Sequence, residues 1–128
     1  MRKWVLALAA LAGLTGAGGV ILSALAAHSV ADPRLDAAAH FLLFHATAAL
    51  AVCGLASGLP QCGRWFLIPA VSFLLGSLLF GGDLSVRVLI GVKLFPMAAP
   101  IGGILLILGW ILVTIAALWC CRCESAQR

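Results

Sequence analysis

Residues 81–110 read GGDLSVRVLIGVKLFPMAAPIGGILLILGW, where three charges, two prolines and two glycine pairs interrupt an apolar run. Asp83 and Arg87 stand four residues apart in an otherwise apolar run, with the acid first, the order that favours an ion pair along one helix face. Gly81 and Gly82 need not end that helix, because membrane helices tolerate glycine well. Pro96 and Pro100 then precede Gly102 and Gly103. Proline suits the first turn of a helix and small residues let two helices approach closely. The stretch therefore predicts one apolar helix ending near residue 90, a joint marked by glycine and proline, and a last helix starting at Ala98 or Pro100.

The composition sets the solvent. Of 128 residues, 64% are hydrophobic and 9% charged, whereas an ordinary soluble domain is about half apolar and about a quarter charged. A soluble fold of this length still exposes much of the surface it carries, so the natural solvent is a lipid bilayer. The net charge is +4, from eight scattered Lys and Arg residues. They form no basic stripe, which excludes nucleic-acid binding, and anionic headgroups are their natural partners.

With the apolar runs on the N-terminal side of residues 81–110, four spans are predicted, at about 4–27, 37–57, 65–90 and 98–119. The first follows Arg2 and Lys3 and holds 24 residues without a charge, enough to cross a hydrocarbon core of about 30 Å with some tilt. A cleavable signal peptide with a site at Ala24-Leu25-Ala26 is the rival, but the apolar run is too long for an ordinary one. Thr15, Gly19, Ser23 and Ala27 recur every four residues, with Ala12 and Gly16 beside them. Gly16, Gly19, Ser23, Gly102, Gly103 and Gly109 are accordingly candidate helix-packing positions. Asp32-Pro33 suits a helix start, with Asp as the cap. Trp65 and Trp119 sit where interface anchors belong. The fold class is thus all-α, a bundle of four transmembrane helices.

Four spans put both termini on one side. That side carries Arg2, Lys3, Arg64, Arg122 and Arg128, and the other carries Arg34, Arg87 and Lys93. The positive-inside rule then favours cytoplasmic termini. Cys120, Cys121 and Cys123 would lie on that reducing side, Cys62 sits alone in a short joint, and no disulfide framework is expected.

Several of these residues together resemble one family, the small bacterial membrane proteins of the domain of unknown function 423, also called transmembrane-protein-256-like. The resemblance runs from about residue 18 to 118. It rests on Ala27-His28, on His45-Ala46-Thr47-Ala48, and above all on Gly82-Asp83-Leu84, Arg87, Gly91, the Leu-Phe-Pro-Met-Ala-Ala-Pro of residues 94–100, Gly102-Gly103 and Gly109-Trp110. The chain departs from the family at Phe41-Leu42, where many members carry Tyr-Gln, and at Ser29, where glycine is usual. The resemblance implies a multi-pass protein of the bacterial inner (plasma) membrane and transfers no reaction, cofactor or active site.

The ionisable residues gather toward one end of the predicted bundle. His28 closes the first span, His40 and His45 lie on the second, and Asp83 and Arg87 lie near the end of the third. Intramembrane ionisable groups usually face the bundle interior and pair with one another. His28, His45, Asp83 and Arg87 are therefore the candidate polar cluster, to be weighed against a plain structural ion pair with hydrogen-bonded histidines. No catalytic triad, phosphate loop or paired carboxylates is present, so no enzyme and no cofactor are expected. The leading functional reading is a structural or accessory protein that packs with itself, as a homo-oligomer, or with a larger membrane complex. The alternatives are a small transporter or channel using the outer-side polar cluster, and a metal or redox site using the histidines or the C-terminal cysteines.

Overall fold

A computed structural model describes residues 1–125, Glu124 by its backbone alone; Arg128, counted above in the polar tail, lies outside the described residues. The chain forms α1 (Arg2–His28), α2 (Pro33–Gly58), α3 (Leu67–Leu89) and α4 (Ala98–Ser125), with one 3-10 turn (Gly63–Phe66) leading into α3. Four helices are long and apolar enough to cross a membrane. At 1.5 Å per residue each exceeds a hydrocarbon core of about 30 Å, so the ends reach the headgroup layer or the helices tilt.

The boundaries have local causes. The second helix starts at Pro33, ahead of the predicted residue 37, because the Asp32 carboxylate accepts a hydrogen bond from the Arg34 backbone N–H at 2.8 Å and Pro33 occupies the first turn. Asp32 also pairs with the Arg34 guanidinium at 2.7 Å. α3 runs through Gly81 and Gly82 to Leu89. It ends where Gly91 takes a left-handed φ of 81° and both Ile90 and Gly91 donate N–H bonds to the Val86 carbonyl. α4 starts at Ala98, with Pro100 in its first turn, and continues past Trp119.

The helices pack in chain order: α1 on α2, α2 on α3, and α3 on α4, with a lighter contact between α1 and α3. About half of α2 and α3 is buried, against less than a quarter of α1 and α4. The middle helices therefore form the core, and the outer two present apolar faces to lipid. Small residues bring α1 and α2 together, with Ala12, Ala38, Ala39 and Ala49 fully buried. Lipid supplies no hydrophobic drive between helices, so close packing and interhelical hydrogen bonds must hold them. The Ser72 hydroxyl provides one, donating to the Leu105 carbonyl of α4 at 2.7 Å.

The tightest approach joins α3 to α4. A Cβ on Gly102 would lie 2.6 Å from the Phe80 backbone nitrogen and 2.7 Å from the Gly76 carbonyl oxygen. A Cβ on Gly76 would in turn lie 2.9 Å from the Gly102 carbonyl oxygen. Only glycine on both helices permits that backbone contact. Gly109 sits against the Phe73 ring, and Gly19 against Leu43 and the Ala39 carbonyl. Gly16 makes an ordinary contact with Ala46, and Ser23 is half-buried near the start of α2. Gly103 corrects the expectation for the glycine pair: nothing lies within 4 Å of a Cβ built there. It is one residue round the helix from Gly102 and so points away from α3.

The cysteines require a second correction, because Cys62 and Cys120 form a disulfide. The difficulty of bridging adjacent cysteines excludes Cys120 with Cys121, and it does not apply to partners 58 residues apart. Antiparallel spans return the end of α4 to the side of the 58–64 joint, and the 3-10 turn there contacts both α2 and α4. The two Cα atoms lie 5.6 Å apart, well within bridging range. Cys53, Cys121 and Cys123 are free thiols.

Candidate functional site

Asp83 is the only fully buried charged side chain among the described residues. Its Oδ2 accepts hydrogen bonds from Arg87 Nε at 2.6 Å and Nη2 at 2.5 Å, so the four-residue spacing does deliver the ion pair. Its Oδ1 accepts the backbone N–H of Leu94 at 2.9 Å. One carboxylate thus ties the end of α3 to the joint that leads into α4. Charge-assisted bonds of this kind are roughly twice as strong as neutral ones. The clamp holds a joint in which Met97 itself adopts a left-handed φ of 72°, an uncommon state for a residue with a side chain.

His45 forms a separate centre in the middle of α2 and is 7% exposed. Its Nδ1 lies 2.8 Å from the Phe41 carbonyl oxygen. A carbonyl only accepts, so Nδ1 carries the proton and Nε2 is left as an acceptor. Trp110 Nε1 donates to that Nε2 at 3.4 Å, a long bond that spans from α4 to α2. Phe41 and Phe73 pack their rings against the imidazole, both at a centroid distance of 5.6 Å. Beside this bond runs an open groove of about 640 Å³, lined by Phe44, His45, Thr47, Ala48, Ala51 and Trp110.

The four candidate cluster residues therefore fall into three places. Asp83 and Arg87 pair with each other, His45 pairs with Phe41 and Trp110, and His28 is exposed at the end of α1. No hydrogen bond, ion pair or ring contact joins these three places among the described residues. His40 is half-exposed and bonds to the Asp36 backbone carbonyl at 2.8 Å. Among the described residues no three His, Cys, Asp or Glu side chains converge as a metal site would require.

Two partners escape sequence reasoning. The Leu94 amide leaves no trace in side-chain identity. Trp110 does leave one, since an indole N–H in a low-dielectric setting usually finds an acceptor, and His45 is the mid-span acceptor on the neighbouring helices. A second signal is the spacing of Cys120 and Cys123 in Cys-Cys-Arg-Cys, which is a Cys-x-x-Cys arrangement.

Comparison with known proteins places these features in context. The UPF0382 inner membrane protein YgdD of Escherichia coli K12 is 32% identical over 78 residues, 60% of this chain and 60% of its own length. The YgdD protein of Shigella flexneri matches to the same extent. The matched stretch thus spans less than two thirds of either relative. No solved structure matches. With its four membrane-length helices and inner-membrane relatives, this is a multi-pass inner-membrane protein. A family model described as "Protein of unknown function (DUF423)" matches residues 22–103, the stretch from the second half of α1 to Gly103 that carries His45 and the whole Asp83 clamp, and the chain belongs to that family.

Proposed function

We propose that this protein is a non-enzymatic accessory component of the membrane that works by packing against a second membrane-embedded chain, a further copy of itself or a larger complex. The observation that carries the reading is the open side of the bundle. α4 packs along α3 and meets α2 at the His45–Trp110 bond and ring contact, beside the 640 Å³ groove. Thr47, Ala48 and Ala51 line that groove on α2, and small side chains at such spacing admit another helix. The internal polar groups support the same reading. Asp83 spends its hydrogen-bonding capacity on Arg87 and Leu94, and His45 spends its own on Phe41 and Trp110. Those groups act as internal ties.

The test is extraction in a mild detergent at native expression level, followed by mass measurement of the detergent-corrected particle and mass spectrometry of what co-purifies. A dimer, a higher oligomer or a reproducible membrane partner is expected. A monomer that brings nothing with it removes the proposal.

A further inference from the structure

Three cysteines lie near the end of α4, and one of them is bridged to the joint ahead of α3. The Cys62–Cys120 bridge is almost fully buried, with Cys62 4% and Cys120 5% exposed. A thiol in solution therefore reaches neither sulfur easily, and thiol–disulfide exchange depends on access as well as on thiolate character. Cys123 is a free thiol and half-exposed. It stands three residues beyond Cys120 on the same helix, so the two side chains share one face. Helix geometry puts their Cα atoms about 5 Å apart, inside the range that a disulfide spans. Cys121 is also free but exposed, and as the immediate neighbour of Cys120 it points to another face.

We propose that Cys62, Cys120 and Cys123 form a thiol–disulfide exchange site in which Cys123 is the relay between the buried bridge and thiols in solution. The Cys123 thiol loses its proton to solvent, and its sulfur attacks the Cys120 sulfur. The Cys120–Cys123 bond forms as the Cys62–Cys120 bond breaks, and Cys62 leaves as a thiolate that takes a proton from water. The internal step is redox-neutral. The new Cys120–Cys123 bridge includes the half-exposed Cys123 sulfur; a soluble thiol such as glutathione attacks it, Cys120 leaves as a thiolate that takes up a proton, and a second glutathione frees the Cys123 thiol and departs in glutathione disulfide. In the first state α4 is stapled to the 3-10 turn ahead of α3. In the second the staple is open and Cys62 is a free nucleophile. The exchange partner is thus a small or protein-borne thiol or disulfide, and the step opens or closes the chain's own staple.

The test uses the full chain in lipid nanodiscs, with glutathione as the probe at fixed pH. Samples are quenched by alkylation over time and the linkages mapped by mass spectrometry. Wild type should lose the Cys62–Cys120 linkage through a transient Cys120–Cys123 linkage. Cys123→Ser should lose it at least ten times more slowly and show no such intermediate, and Cys121→Ser should behave as wild type. Equal rates in wild type and Cys123→Ser overturn the relay, as does a wild type that never shows the Cys120–Cys123 linkage. A freshly isolated protein in which Cys62 and Cys120 are never linked overturns the whole proposal.

Discussion

The Asp83–Arg87 pair makes an asymmetric prediction, because its two ends are buried to different degrees. Asp83 is fully buried, whereas the Arg87 side chain keeps 28% of its surface exposed. Replacing Arg87 with Ala strands a buried carboxylate on the Leu94 N–H alone, and removing one partner of a buried pair typically costs about 3–5 kcal/mol. Replacing Asp83 with Ala orphans the Leu94 N–H, a loss of about 1–3 kcal/mol. The freed Arg87 then adds little, because its long side chain can turn its head toward the headgroup layer. Asp83→Ala should therefore destabilise less than Arg87→Ala. The double variant should resemble Asp83→Ala, recovering about 2 kcal/mol relative to Arg87→Ala, since no buried charge remains. Equilibrium unfolding by dodecyl sulfate in mixed micelles, followed by tryptophan fluorescence, measures all four proteins. If Asp83→Ala is the more damaging change, or if the two losses simply add in the double variant, the buried-carboxylate argument fails.

The remaining predictions use the same assay. Gly102→Ala should cost about 1–3 kcal/mol, because its Cβ meets backbone atoms of Gly76 and Phe80 that cannot move without separating α3 from α4. Gly103→Ala, built into open space, should be neutral or slightly stabilising, and equal losses at the two positions would contradict the assignment of the packing face. Trp110→Phe keeps a ring but removes the indole donor to His45, and should cost about 0.5–1.5 kcal/mol; no change would show that the 3.4 Å bond contributes nothing. Asp32 supplies a pH test. The side-chain hydrogen bond from Arg34, then its backbone N–H, hold the Asp32 carboxyl below its ordinary value of 3.8. A depressed folded-state pKa means stability present above the unfolded value and lost as pH falls through the folded one. Between about pH 5 and about pH 3, wild type should lose more stability than Asp32→Ala, and parallel pH profiles would count against the cap.

The fold was legible because lipid leaves few options for an apolar chain. Every backbone polar group must be satisfied within its own segment, so run lengths and the polar or Gly/Pro-marked joints between them nearly dictate the helices. The ion pair was legible for a related reason, since acid-first spacing of four has one geometric meaning on a helix. Convergence of His28, His45 and Asp83 could not be read the same way. Span order says which end of the bundle a residue occupies, but not which way round its helix it points. His28 ends on an exposed position and His45 turns to Trp110. The pair Gly102 and Gly103 illustrates the same gap, where rotation by a single residue separates a backbone contact from open space. The disulfide depended on how a short joint folds: Gly63 packs against the Ala56 carbonyl at the end of α2, and that closure brings Cys62 to α4.

The charge count and the disulfide pull in different directions, and both follow from the same four spans. An even number of crossings returns both chain ends and the 58–64 joint to one side, which is why Cys62 can meet Cys120 at all. The same crossings collect Arg2, Lys3, Arg64 and Arg122 there, and the positive-inside rule would make that the cytoplasmic face. A permanent structural bridge is out of place in a reducing compartment, where disulfides are usually transient and catalytic or redox-sensing. The exchange proposed above would make this bridge one of the transient kind. Orientation and exchange are thus linked. A carboxy-terminal reporter fusion that reads cytoplasmic, combined with a Cys62–Cys120 linkage trapped by alkylation in intact cells, would require a bridge that forms and opens in place. A reporter that reads on the outer side would make it an ordinary staple of an oxidising compartment, with the positive-inside count, five basic residues against three, outweighed.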